Sequence, residues 1–197
     1  MDGDTRETIR AVALELFSTK GFEQTSLREI AERVGLTKAS LYYHYSSKQS
    51  LLLAVVDPMI TGWRTIVDET ATLEHDPASV RLVVDRCLEV FLRNRSVAGI
   101  FQRDAAGVAV VLGSLWDDVI DLGKRLVAWL AGPSPTAEQR LRAIAAMEVL
   151  GTVLTSATYQ DDGEFTEDEV RVVLSQAAMD VLRLAAEPAT SGMRKLG

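Results

Sequence analysis

The sequence predicts an all-α fold of about nine helices, with a small three-helix N-terminal domain and a larger helical C-terminal domain. Three observations predict it. Apolar residues recur at the i, i+3, i+4 spacing of a helix, and the strict alternation of a strand is almost absent. Helix-start signatures, a Ser, Thr or Asp with Glu or Gln three residues on, stand before most of these stretches. Glycine and proline punctuate the intervals, most strongly at Gly132-Pro133-Ser134-Pro135. The expected divisions are residues 1–50, residues 51–187 and a flexible tail at 188–197.

Asp4 and Glu7 are placed to cap a first helix, in which Ile9, Val12, Ala13, Leu16 and Phe17 form one apolar stripe and Gly21 supplies the stop. Ser26 with Glu29 opens a second helix, buried through Leu27, Ile30, Ala31 and Val34 and ended by Gly35. Thr37 caps a short third helix reaching about His44. Ser46 with Gln49 opens a fourth, with Leu51, Leu52 and Val55 inward. Pro58 kinks or breaks this helix, which runs to about Leu73; alternatively Asp57 caps a fresh helix there.

Asp76-Pro77 starts a helix to about Arg95, striped by Val80, Val83, Val84, Cys87, Leu88 and Phe91. A short helix around Ile100 and a longer one to about Leu130 follow. Thr136 with Gln139 caps a helix to about Tyr159, and an acidic loop from Asp161 to Glu164 separates it from the last helix. Thr166 and Glu169 cap that one, Glu167 and Asp168 suit its dipole, and Pro188 closes it.

With 47% hydrophobic and 25% charged residues, the 197-residue chain has an ordinary globular composition. The lone Cys87 excludes an internal disulfide, suits the cytoplasm and sits on an apolar stripe, where burial is expected rather than redox sensing. Two histidines and one cysteine leave little for a metal cage, so no metal and no cofactor is expected, and Asp117, Asp118 and Asp121 read as a solvated face. The polar, charged N-terminus predicts no signal peptide, and charges are expected to interrupt each apolar stretch short of a membrane span. The net charge of −7 argues against a nucleic-acid partner until it is divided along the chain. Residues 1–56 hold seven Lys/Arg and seven Asp/Glu; residues 57–197 hold fourteen and twenty-one. A neutral head on an acidic body permits binding to phosphates at one end.

The most informative stretch runs from Thr25 to Lys48, where two short helices are joined by Gly35-Leu36-Thr37. This is the plan of a helix-turn-helix, in which the first helix braces and the second enters the major groove of DNA. Thr37, Lys38, Ala39 and Ser40 crowd the start of the second helix, where free amides and partial positive charge favour phosphate. Lys38 can reach guanine or phosphate, and the Ala39 methyl can touch a thymine methyl. Tyr42, Tyr43 and His44 are long, rigid and polar-tipped, and Lys48 lies within reach of a phosphate.

These residues resemble the tetracycline-repressor (TetR) family of bacterial regulators. The resemblance is carried by Gly21-Phe22, Thr25-Ser26, Ile30-Ala31, Val34-Gly35, Leu41-Tyr42, His44 and Lys48, and covers roughly the first 55 residues. It implies a homodimer on a near-palindromic double-stranded DNA operator, with a small-molecule effector in the C-terminal domain and repression as the default action. It places Thr25, Thr37, Lys38, Ala39, Ser40, Tyr42, Tyr43, His44 and Lys48 at DNA-contacting positions. Lys38, Ala39 and Tyr43 are expected to read bases; Thr25, Tyr42, His44 and Lys48 are expected to hold phosphates. Tyr45 departs from the phenylalanine usual in the family, and its hydroxyl needs a partner.

In the C-terminal domain Trp63, Phe91, Phe101, Trp116 and Met147 are candidates to line an apolar effector pocket, against the alternative that each is plain core. The last two long helices are apolar on two sides, so a second subunit is expected to cover one of them. Ala143, Ala146, Leu150, Val153, Val170, Leu174, Ala177 and Val181 are the expected dimer face. Two other readings stay open. One is a constitutive dimeric DNA-binding protein without an effector. The other is an all-helical enzyme, for which the sequence offers no nucleophile elbow, phosphate-cradling glycine loop or histidine–carboxylate cluster.

Overall fold

A computed structural model of the chain describes residues 2–155 and 165–183. Among them are nine helices: α1 Asp2–Lys20, α2 Leu27–Val34, α3 Lys38–His44, α4 Lys48–Thr70, α5 Pro77–Arg93, α6 Arg95–Leu112, α7 Ser114–Ala131, α8 Ala137–Thr155 and α9 Glu167–Arg183. The expected tail at 188–197, Tyr159 and the acidic loop at 161–164 lie outside the described residues.

Most helix starts follow from local chemistry. The Ser26 hydroxyl accepts the amide of Glu29 at 3.1 Å, and the Asp76 carboxylate accepts those of Ala78 and Ser79 at 2.9 and 2.8 Å. Thr136 with Gln139, and Thr166 with Glu169, close reciprocal capping boxes at α8 and α9. Two expected boxes do not form. Asp4 lies inside α1, where its carbonyl accepts the Thr8 hydroxyl, and Glu7 pairs with Arg10 at 2.7 Å. At α4 the box closes one residue later than expected, between Ser47 and Ser50. A serine at the third position is long enough to return a hydrogen bond to the cap amide, so Gln49 is not needed.

α4 runs unbroken through Pro58, so neither a broken helix nor a fresh start at Asp57 occurs. Proline has no N–H to offer the carbonyl of Ala54, and the helix carries that lost bond in its interior. The division between α6 and α7 also differs from the expected short helix near Ile100. α6 passes through Gly99 and Gly107, and the chain turns at Gly113, whose φ of 52° a side chain would resist. Against the sequence expectation, α4 is long and apolar enough by length and composition to span a bilayer. Half of that stretch is buried here against α1, α5, α6 and α7.

One core runs through all the described helices. α1 packs on α2, α4 and α6, while α8 packs against α9, α7, α5 and α6. Two close approaches tighten it. A Cβ at Gly99 would stand 3.1 Å from the Cβ of Ser18, and one at Gly62 would stand 2.9 Å from a Val90 methyl. Cys87 is fully buried in α5, and burial pushes its thiol up to about 12, which keeps it a protonated core residue. His75, in the loop before α5, meets the Trp129 ring of α7 edge-on at 5.2 Å and lies 3.4 Å from the Leu130 carbonyl.

Candidate nucleic-acid interface

The second helix of the motif is held by its apolar side. Leu41 is fully buried with Ile30 and Ala31 of α2 and Ile9, Ala13 and Phe17 of α1. Phe17 and Phe22 meet edge-on at 5.2 Å beneath them. The turn depends on Gly35, whose φ of 78° lets Leu36 N–H reach back to the Ala31 carbonyl at 2.8 Å. Ion pairs brace the outside: Lys20 with Glu29 at 2.8 Å, Arg28 with Glu32 at 2.7 Å, and Arg33 with Glu15. Lys20 and the Ser26 cap together hold the Glu29 carboxyl below the usual carboxylate range, the lysine contributing most. These pairs neutralise much of the cationic charge around α1 and α2. Lys38 is placed differently, with its ammonium 5.6 Å from the centre of the Tyr42 ring.

α3 therefore presents Lys38, Ala39, Tyr42 and Tyr43 to solvent. Tyr43 is the extreme, 79% exposed. An aromatic ring left in water forgoes roughly 1–2 kcal/mol of burial, so a surface that covers it is favoured. His44 is half-buried and meets Tyr43 edge-on at 5.3 Å, which steadies that ring. Thr37 and Ser40 turn on each other: the Thr37 hydroxyl accepts the Ser40 amide at 3.1 Å and the two hydroxyls lie 2.9 Å apart. Their first role is to cap α3. The departure at Tyr45 is accommodated, since its hydroxyl donates to the Arg6 carbonyl at 3.4 Å. The Arg6 guanidinium lies over the same ring at 5.8 Å and donates to the His44 carbonyl.

Two expected phosphate contacts are placed elsewhere. The Thr25 side chain is 2% exposed and donates inward to the Gly21 carbonyl at 2.8 Å. Its hydroxyl closes the end of α1 and is turned away from solvent. Lys48 reaches back across the head, donating to the carbonyls of Phe22 at 2.9 Å and Glu23 at 3.3 Å, with its ammonium 4.3 Å from the Phe22 ring centre. Two of its three donors thus tie α4 to the turn between α1 and α2.

In the C-terminal domain a cavity of about 800 Å³ opens between α7 and α8 and reaches Phe91 of α5. It brings together Phe91 and Met147 of the expected effector residues. Trp63 is buried behind Phe91, edge-on at 4.7 Å. Phe101 and Trp116 pair with each other at 5.5 Å and are not among the residues lining this cavity. Lys124 and Arg140 also line it, and nothing in the helical periodicity singled them out. Among the described residues no three His, Cys, Asp or Glu side chains gather as a metal site.

The expected dimer face is largely inside the subunit. Ala143, Ala146 and Leu150 are fully buried and Val170 nearly so, while Leu174, Ala177 and Val181 are half-buried; the Val153 side chain lies outside the described residues. α8 and α9 pack their small residues on their own neighbours. What they leave outside is Leu141 and Ile144 on α8 and Val172 and Val173 on α9. Both faces of these helices are apolar in sequence, and the choice between them is made by the packing.

Residues 9–55 match the family of bacterial regulatory proteins called tetR. The likeness to that family lies in this N-terminal segment. The matched segment contains the braced α2–α3 pair and every residue of the candidate interface. Among similar proteins, the HTH-type transcriptional regulator EthR of Mycolicibacterium smegmatis is 31% identical over 93 residues, covering 47% of this chain and 42% of that one. The class C tetracycline repressor protein of Escherichia coli is 39% identical over 56 residues, 28% of this chain and 26% of that one. The chain thus matches less than half the length of these curated relatives. The ketosteroid transcriptional regulator KstR2 of Mycobacterium tuberculosis superposes with a TM-score of 0.71 at 18% identity, covering 90% of this chain and 92% of that one. That likeness is one of fold, and it takes in the C-terminal helices.

Proposed function

We propose that the chain is a dimeric, sequence-specific DNA-binding transcription regulator of the cytoplasm, a repressor that a small hydrophobic effector releases from its operator. The exposed row Lys38, Ala39, Tyr42 and Tyr43 on a rigidly braced helix carries the reading. A cation, a methyl and two polar-tipped rings are the groups that read a major groove. They lie within the segment shared with the tetR family. Thr37, Ser40 and His44 hold that row in place rather than reading bases.

A second copy of the chain is the partner. One motif reads too few base pairs for high specificity, and two on a near-palindromic site lie about 34–36 Å apart. The exposed Leu141, Ile144, Val172 and Val173 supply the apolar face for that contact. The cavity between α7 and α8 is the effector site, which favours this reading over a constitutive DNA-binding protein. Its size falls within the roughly 300–1,000 Å³ of small-molecule sites.

The test is fluorescence anisotropy on the DNA upstream of the protein's own gene, at two salt concentrations with nonspecific competitor, alongside Tyr43→Ala and Lys38→Ala. Competitor-resistant binding as a dimer, weakened in both variants, is the expected result. Binding seen only at low salt and indifferent to both substitutions would be charge attraction without readout, and the reading would fail.

A further inference from the structure

The cavity between α7 and α8 has a polarity that core packing does not require. Its walls are apolar along Phe91, Val127, Ile144 and Met147, yet Lys124 and Arg140 reach it from the two facing helices. Glu148 is the carboxylate on the same lining, and it forms no ion pair with Lys124. Arg140 uses one N–H on the Pro135 carbonyl at 3.1 Å and keeps the rest of its donor fork. This local excess of cations runs against the acidic charge of residues 57–197.

The cavity is also open for a reason visible in the sequence. Gly123 of α7 and Gly151 of α8 both line it, in helix interiors where glycine is unfavourable. Gly62 and Gly99 are explained by close helix approaches, but these two are not. A Cβ at Gly123 would meet nothing within 4 Å, and one at Gly151 would meet Phe91 at 3.8 Å, an ordinary contact. Their missing side chains leave empty space.

We infer that this cavity takes an amphipathic small molecule with an apolar body and a single anionic group, paired by Arg140 and Lys124. The inference rests on the cavity being the effector site. Glu148 lies eight residues beyond Arg140 on α8, about 12 Å along the axis. An acidic head therefore sits at the Arg140 end, away from that carboxylate, and the apolar body runs past Met147 toward Gly151. Burying the body excludes water from the mouth and strengthens the charge pairing.

The full-length protein is titrated calorimetrically with decanoate, decanol and decyltrimethylammonium, each below its micelle concentration. The variants are Lys124→Met/Arg140→Met and Gly123→Leu, with Ala128→Trp as a second filler from an exposed position should Gly123→Leu not fold. Decanoate should bind about tenfold tighter than the other two probes. The double substitution should remove that advantage and leave decanol unchanged, and filling the cavity should abolish all binding. If the three probes bind alike and the filler removes them all, the effector site stands and its preference for an anion is wrong. If no probe binds, or binding ignores the filler, the effector site itself is wrong and the inference falls with it.

Discussion

Replacing Lys48 with methionine keeps the length of the side chain and removes its charge. If the ammonium is a structural tie, as its bonds to the Phe22 and Glu23 carbonyls indicate, the cost is one of stability. The shorter bond, charge-assisted and half-buried, is worth about 1.5 kcal/mol, and the longer one about 0.5. The ammonium over the Phe22 ring adds about 0.5 kcal/mol. Regained side-chain freedom offsets part of this, leaving about 2 kcal/mol, which lowers the melting temperature by roughly 4–8 °C for a chain of this size. A phosphate contact would give a different signature. Losing one reduces the slope of log K against log salt by about 0.9, at unchanged stability. Thermal unfolding of free Lys48→Met, paired with DNA titrations across a salt series, separates the two. A variant as stable as the parent but with a shallower salt slope would refute the structural role.

Thr25→Val removes a buried hydroxyl and leaves the Gly21 carbonyl unpaired, so unfolding in denaturant should show a loss of about 1–2 kcal/mol with the DNA salt slope intact. Tyr43→Ala should leave stability within about 0.5 kcal/mol while costing about 1–3 kcal/mol in operator binding by anisotropy. Gly123→Ala should stabilise the chain by about 1 kcal/mol in denaturant unfolding, because the added methyl meets no neighbour. The amides of Ser79 and Ala78 hold the Asp76 carboxyl below its ordinary range. A depressed folded value means that this contribution is present above the unfolded value and is lost as pH falls through the folded one. Asp76→Asn should therefore lower the neutral plateau of a stability–pH curve and approach the parent at acid pH, flattening the acid limb.

The features legible in the sequence were those decided within one helical turn. The caps at Ser26, Thr37, Asp76, Thr136 and Thr166, and the turn at Gly35, each depend on residues three or four apart, and each forms as expected. The buried faces of α1 and α2 were equally readable, because one side of each is apolar and the other charged. The sequence says least where the partner is distant along the chain. Thr25 and Lys48 stand where they could touch DNA, and only the fold shows Gly21, Phe22 and Glu23 taking their donors instead. α8 and α9 are apolar on two sides, so periodicity alone does not say which side faces the core. The small alanines read as an invitation to a partner serve the contact of α8 with its own subunit. Lys124 and Arg140 would have passed as solvated charges; the two unexplained glycines beside them are the signal that could have marked the cavity.

The head is joined to the body in two ways, and they differ in stiffness. α4 connects them covalently, and its lost hydrogen bond at Pro58 weakens one turn of it. α6 connects them by packing, with Gly99 set so closely against Ser18 that a methyl there would stand 3.1 Å from its Cβ and 3.2 Å from its carbonyl oxygen. A packed contact of this kind transmits a shift rather than absorbing it, because interiors are close-packed and have no slack to take up. On the proposed function, an effector that separates α7 from α8 acts on helices that both pack on α6. α6 then carries the displacement to α1, while the softened turn at Pro58 lets α4 bend with it. The helix α3 buries no side chain but Leu41, so it must move wherever α1 and α2 go. On that proposal, effector and DNA are linked through a head that moves as one body, and the pairs bracing it, Lys20–Glu29, Arg33–Glu15 and Lys48 with the α1–α2 turn, keep it one.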